Sequence, residues 1–267
     1  MRQGPGRSRR LGPGPISKML TQRSPSAVRI MRDRDAIQAR NRADSVRAIN
    51  PDNPAADVLP DGAWAGQPCF IIGGGPSLIG FDFERLRGRG RVIAINKAFL
   101  YTPFADVVFF MDHASFYMWL KRGMFGADAI TAWNEFKGFR VFLNLRGREV
   151  KDAYSIRSIG RVGLPTSLKG GLYHGNNSGF GAIGIAICMR ADPIYLLGYD
   201  LKHQGNVTHF HGGYSRHQPE IVMRSYKQGL MELAHLIAKR GWPKFINLNP
   251  NSALTDFTFS TIDEVLK

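Results

Sequence analysis

The sequence predicts an α/β fold: a Rossmann-like domain whose sheet is mostly parallel, with helices on both faces and a flexible basic N-terminal arm in front of it. Three observations carry that expectation. Short apolar runs alternate with helical stretches from residue 68 onward, the order that builds a parallel sheet through crossover helices. The run Phe70-Ile71-Ile72 empties directly into Gly73-Gly74-Gly75-Pro76-Ser77, which reads as strand, glycine turn and helix start. The unusual polar residues then fall just behind strands, where ligands bind in such sheets.

Taken in order, residues 69–72 read as the first strand and residues 82–86 as a short helix begun by Asp82. Residues 91–95 and 106–111 read as the second and third strands. Residues 113–121 have a helical look in which Phe116, Tyr117 and Trp119 pack, and residues 140–145 form another strand. After a polar excursion over 146–175, Asn177 or Ser178 caps an apolar helix over 179–189. Residues 193–197 make a continuous apolar strand of the kind buried on both faces. A long helix over 219–239, apolar at Ile221, Met223, Leu230, Leu233 and Ile237, precedes a last strand over 244–248.

With 267 residues and 43% hydrophobic content, the chain can bury one substantial core. The division expected is a basic arm and linker over residues 1–60 and a nucleotide-binding domain over 61–267. The net charge of +15 is concentrated in the arm, since residues 1–50 hold 12 Lys and Arg against 3 Asp. Residues 1–25 are rich in Arg, Gly, Pro and Ser and should lack fixed structure; residues 27–49 can form a polar helix, and Pro51, Pro54 and Pro60 mark a linker. Such an arm is either a solvated tail or an electrostatic contact for nucleic acid or a virion partner. No stretch approaches the ~20 apolar residues of a membrane span, and no secretory signal opens the chain, so the expected location is cytoplasmic. Cys69 and Cys188 read as small core residues, too few for a disulfide scaffold.

Three clusters carry chemistry. Gly73, Gly74 and Gly75 lack a Cβ and can take left-handed dihedrals, and the turn into Pro76 and Ser77 offers N–H groups to a phosphate; an ordinary tight strand-to-helix turn is the other reading. The loop has neither the lysine of a P-loop nor the full dinucleotide-binding spacing. Asn96 can bond a base, sugar or phosphate or simply make a turn, and Lys97 beside it is a charge partner. Ser178 and Gly179 open a helix and supply a second set of N–H donors. The third cluster holds Asp200, His203, His209, His211 and His217, with three readings: exposed loop histidines, proton transfer or phosphate contact, or a metal site. Asp112 can bring a carboxylate to Mg²⁺.

Gly73-Gly74-Gly75-Pro76-Ser77-Leu78, Val92-Ile93-Ala94-Ile95-Asn96, Ser178-Gly179, Ile194-Tyr195-Leu196-Leu197-Gly198-Tyr199-Asp200, His209-Phe210-His211-Gly212 and Asn247-Leu248-Asn249-Pro250-Asn251-Ser252-Ala253-Leu254 occur in that order. Together they resemble the superfamily that joins MptE-like 6-hydroxymethylpterin diphosphokinases to bacterial CMP-sialic-acid-dependent sialyltransferases, with small phage-encoded relatives labelled morphogenetic. The resemblance covers residues 68 to about 265 and leaves the arm outside. It implies that Gly74, Gly75, Pro76, Ser77, Asn96, Ser178 and Gly179 contact a nucleotide. It also implies that His209 or His211 deprotonates an acceptor hydroxyl. Tyr173, Tyr199 and Tyr214 are the candidates for neutralising a leaving phosphate. Gly74 stands where those sialyltransferases commonly have Asn. For the diphosphokinase chemistry, ATP with Mg²⁺, the natural ligands are Asp112 and Asp200.

The expectation is therefore a nucleotide-dependent transferase that moves a glycosyl group from a nucleotide-sugar donor to a hydroxyl acceptor. The alternatives are an MptE-like diphosphokinase using ATP and Mg²⁺, and a non-catalytic phage structural or assembly protein with a nucleic-acid-binding arm.

Overall fold

The computed structural model describes residues 54–267 apart from positions 149, 204, 206, 213 and 215–218. Residues 1–53, with the polar helix and nucleic-acid contact expected there, lie outside the described residues, as does His217.

Among the described residues nine strands form one sheet in which every pairing is parallel. They are β1 (Cys69–Ile72), β2 (Arg91–Ile95), β3 (Val107–Phe110), β4 (Phe139–Asn144), β5 (Tyr154–Gly160), β6 (Leu172–Tyr173), β7 (Ile194–Leu197), β8 (Phe245–Asn247) and β9 (Thr258–Phe259). Their order across the sheet is β6-β5-β4-β3-β2-β1-β7-β8-β9. The central strands are buried along their whole length, which is why they read as continuous apolar runs. Alternate side chains supply two separate cores: Cys69, Ile71, Ile93 and Phe109 face one side, and Phe70, Ile72, Val92 and Phe110 face the other. The two-residue period of a strand makes that division automatic.

Besides a single α turn at Trp119–Lys121, the α-helices of the described residues are α1 (Ala127–Glu135), α2 (Ser178–Cys188), α3 (Glu220–Arg240) and α4 (Ile262–Val265). Helices α2 and α3 supply one core, while α1 and the short helical turns after β1, β2 and β3 supply the other, with α4 packed against it. From Phe180 onward helix α2 is apolar on all sides and buried. It lies close to the sheet because Gly181 has no side chain; a Cβ there would meet the Phe109 ring at 2.6 Å. Helix α3 stops at Gly241, whose φ of 73° gives the left-handed cap that glycine takes without steric cost, with Lys239 and Arg240 in the last turn.

Where the sequence suggested only polar excursion, residues 146–175 contain β5 and β6, and α1 lies in a stretch with no expectation. Strand β5 is at the thinning side of the sheet, so its outer residues alternate between buried and exposed, a weaker signal than a continuous run. The aromatic stretch at 113–121 is helical but opens as a π-turn, His113–Met118, before one α turn, Trp119–Lys121. Ile221, expected inside, is 73% exposed. Of the segment read as arm and linker, residues 54–60 pack against the domain: Ala55 and Leu59 are buried and Pro54 bridges to Ser155. Among the described residues no helix is long and apolar enough to cross a membrane.

At the amino ends of the strands, Arg91 and Asp106 form a buried ion pair at 3.2 Å. Arg91 Nε also donates to Gln67 Oε1 at 2.7 Å, and Asp106 Oδ2 accepts the Val92 N–H at 2.8 Å. The pair ties β2 to the start of β3.

Candidate active site

The chain runs outward from β1 to β6 and then returns to β7 on the other side of β1, so β1 and β7 flank the point where the strand order reverses. Loops part there, and the crevice beyond the strand carboxyl ends is where a ligand fits. A cleft of about 930 Å³ opens at this place. Of the residues given a site role in the sequence, Ser77, Lys97 and Tyr173 do not line it, His217 lies outside the described residues, and the others do. The glycine loop and Pro76 come from the end of β1, Asp200 from β7, Asn96 from β2 and Asp112 from β3. Ser178 and Gly179 come from the start of α2, and His209 and His211 from the segment before α3.

The glycines are needed for close packing, a reason different from the left-handed turn expected of them. None of the three has a left-handed φ; Gly75, for example, is extended at φ −63°, ψ 148°. A Cβ on Gly73 would lie 2.8 Å from the Gly198 carbonyl oxygen, and one on Gly75 would lie 1.9 Å from Asp200 Oδ2. At Gly74 it would meet His209 Cδ2 at 2.7 Å. The loop's N–H groups are also largely engaged. Gly73 N–H donates to Leu197 O and Gly75 N–H to Gly198 O, both at 2.8 Å, and Ser77 N–H donates to Asp200 Oδ1 at 2.9 Å. The expected phosphate cradle thus serves to lock the loops of β1 and β7 together.

Asp200 is the clasp of that lock. Its carboxylate accepts from both the N–H and the hydroxyl of Ser77, the latter at 2.7 Å, and it is buried. Burial raises its pKa, against the hydrogen bonds from Ser77 that lower it. Ser77 consequently sits behind the loop. Tyr199 has a similar bracing part: its hydroxyl donates to Gly179 O at 3.0 Å, and its ring occupies the space that a Cβ on Gly179 would need.

Free donors come instead from α2. Asn177, the residue before it, accepts the Phe180 N–H at 2.9 Å, which leaves the N–H groups of Ser178 and Gly179 in a first turn that has no intrahelical partners for them. Asn96 adopts φ 50°, a left-handed conformation that asparagine tolerates, and its Oδ1 is buried with no hydrogen-bond partner among the described residues. A buried unpaired carbonyl is costly, so this atom is poised for a donor from outside. Lys97 turns away from the cleft. Its ammonium donates to the Gly212 carbonyl and lies 4.6 Å from the Phe125 ring centre, and burial lowers its pKa.

The two imidazoles stack, with ring centres 5.2 Å apart and planes inclined by 23°. That geometry does not point both nitrogens at one ion. His209 Nδ1 is 2.9 Å from Thr208 Oγ1, which can hold the tautomer with Nε2 open. Burial, then the charges of Lys97 and His203, lower its pKa. His211 is 5% exposed, and burial, with His209 and Lys97 beside it, pushes its pKa down to about 3. The unfolded chain binds a proton at His211 near pH 6.5, which the folded chain refuses. His211 therefore costs no stability above pH 6.5, and stability is lost as pH falls from 6.5 toward 3, on the order of 2 kcal/mol by pH 5. Tm measured from pH 7 to pH 5 should fall more steeply for wild type than for His211→Gln; identical slopes would refute this.

Asp112 faces the phenols of Tyr214 and Tyr226, whose pKa values are raised by burial first and by Asp112 second. Among the described residues no group of three or more His, Cys, Asp or Glu is placed to hold a metal ion. Both Asp200 oxygens accept hydrogen bonds from Ser77, and the pair expected to hold Mg²⁺, Asp112 and Asp200, belongs to no such group. The sequence reading did not include Arg146, Arg148 and Tyr226, which also line the cleft. The arginines stand in a loop folded around Asn144, whose Oδ1 accepts the Arg148 N–H at 3.0 Å. Tyr226 follows Met223 by three residues on the inward face of α3, a spacing visible in the sequence. Tyr173 lies outside the cleft, its ring 2.4 Å from where a Gly163 Cβ would be.

No protein-family profile matches the chain, and no curated protein matches it. Among solved structures it is similar to the MAf glycosyltransferase from Magnetospirillum magneticum AMB-1, with 16% sequence identity and a TM-score of 0.49 over 85% of this chain. It is also similar to the sialyltransferase CstII from Campylobacter jejuni in complex with a substrate analogue, cytidine-5'-monophosphate. There the identity is 16% and the TM-score 0.45 over 73% of this chain. The chain spans 38% of the length of the first of these proteins and 85% of the second. What this chain does rests on its own residues.

Proposed function

We propose that the protein is a nucleotide-dependent transferase that moves a glycosyl group from a nucleotide-sugar donor to a hydroxyl acceptor in the switch-point cleft, with His209 as the base. One observation carries the reading: a half-buried imidazole, oriented through Nδ1 by Thr208, shares a cleft with the unpartnered Asn96 Oδ1 and the first N–H groups of α2.

In this reaction the acceptor hydroxyl passes its proton to His209 Nε2 as its oxygen bonds to the sugar carbon. The bond from that carbon to the phosphate oxygen breaks, and the phosphate leaves with the electron pair. The N–H groups of Ser178 and Gly179 and the guanidinium groups of Arg146 and Arg148 suit the charge that develops on the phosphate. His209, lowered from 6.5, is neutral at pH 7 and able to accept a proton. His211, at about 3, is too weak a base for the task, and its place is against the His209 ring. Asn96 suits a hydrogen-bond donor on the nucleotide, such as a hydroxyl or an amino group.

Thermal shifts with CMP, CDP, UDP, GDP and ATP, each with and without Mg²⁺, test the donor. A nucleotide at about 100 times its Kd should stabilise the wild type by about 2.7 kcal/mol, and Asn96→Ala should remove most of that shift. A shift confined to ATP with Mg²⁺ would favour diphosphoryl transfer, and no shift with any nucleotide would favour an assembly protein that keeps the fold without the chemistry.

A further inference from the structure

A second cavity of about 330 Å³ adjoins the cleft, between the turn Leu201-Lys202-His203 and the first two turns of α3. Glu220, Met223, Arg224 and Lys227 face it, the spacing of one helix face. Leu201, Lys202, His203 and Met223 border both spaces, so the two are neighbours across these residues. His203 is close enough to His209 to lower its pKa, which sets the junction beside the proposed base.

Two features mark this as a built recess. Leu201 is held at φ 49°, a left-handed conformation that costs a bulky residue free energy and persists only where surrounding structure enforces it. The enforcement is visible: Ala253 N–H donates to Asp200 O at 2.8 Å, and Ser252 Oγ donates to Tyr199 O at 2.6 Å. The effect is to turn Lys202 and His203 toward the helix face. The charge is also one-sided. Lys202, Arg224 and Lys227 border the cavity against a single carboxylate, Glu220, which is paired with Arg224 at 3.4 Å.

We infer that this recess is the acceptor subsite and that the acceptor it takes carries an oxyanion, a carboxylate or a phosphate, on the molecule that presents the hydroxyl. The assignment as acceptor subsite rests on the transfer reading above; the preference of the recess for anions does not. An acceptor anchored by its anion between Lys202 and Lys227 has its hydroxyl within the part of the cleft shared with His203, next to His209.

Calorimetric titration of the full chain with glucose, glucuronate and glucose 6-phosphate tests it, in wild type, in Arg224→Glu/Lys227→Glu and in Lys227→Arg. The expected result is that an anionic sugar binds and glucose does not at the same concentration. The double reversal should weaken that binding on the order of tenfold or more, and Lys227→Arg should retain it. Tighter binding of glucuronate assigns a carboxylate, and tighter binding of glucose 6-phosphate a phosphate. Equal binding of glucose, no binding by any of the three, or an unchanged affinity in the double variant would overturn the inference. Nucleotide shifts are read on the same proteins, since neither Arg224 nor Lys227 borders the main cleft. Charge-dependent sugar binding without any nucleotide shift would overturn the transfer reading and leave the recess as an anion site.

Discussion

Replacing His209 by alanine is expected to slow release of nucleotide from the donor, in the presence of acceptor, roughly 10²- to 10⁴-fold, the usual contribution of a positioned general base. Donor binding, read as the thermal shift, should survive, because His209 is assigned to the acceptor proton and Asn96 to the nucleotide. The pH profile gives a second readout. His209 must be neutral to accept a proton, and its pKa lies below 6.5 through burial and the charges of Lys97 and His203. Activity should therefore be at its plateau at pH 7 and fall only as the pH drops below 6.5, and the residual activity of His209→Ala should lack that acid limb. An alanine variant that keeps both the rate and the limb would remove His209 from the mechanism.

The second large effect is on stability. Asp106→Ala should lower Tm by on the order of 10 °C, because it leaves the Arg91 guanidinium buried without its counter-charge, a loss of about 3–5 kcal/mol. Arg91 is 1% exposed, so water cannot easily replace the carboxylate, and the Val92 N–H loses its acceptor as well. Replacing both partners, Arg91→Met with Asp106→Leu, should recover much of the loss, since it removes the stranded charge. Thermal unfolding of the three proteins checks this, and a double variant no more stable than Asp106→Ala would show that the pair holds β2 and β3 by something other than charge compensation.

How much of this was legible beforehand depended on the kind of signal. Strands β1, β2, β3 and β7 announced themselves because a strand buried on both faces is apolar at nearly every position, the ion-paired Arg91 at the start of β2 being an exception. Strands β5 and β6 did not, because they lie at the side of the sheet where only part of each strand is covered. Asn96, Asp112 and Asp200 could be gathered onto one rim by a topological rule alone, without knowledge of any side chain. The glycine loop stands out in the sequence, but its reason lies elsewhere: Gly73 and Gly75 admit the neighbouring loop and the Asp200 carboxylate, an approach that depends on the pairing of β1 with β7.

By itself, the sequence determined the alternation of elements, the two-sided burial of the central strands and a helix start at Asn177 or Ser178, because each is set by local propensity and by the period of apolar side chains. Only the tertiary structure decided which polar groups remain available. It engaged Asp200 with Ser77, turned Lys97 to Gly212, stacked His209 on His211 and brought Arg146, Arg148, Tyr226 and the α3 cations to the cleft and its neighbour. Those outcomes depend on contacts between residues far apart in the chain, and burial in such contacts sets both the hydrogen-bond partners and the protonation state of each group.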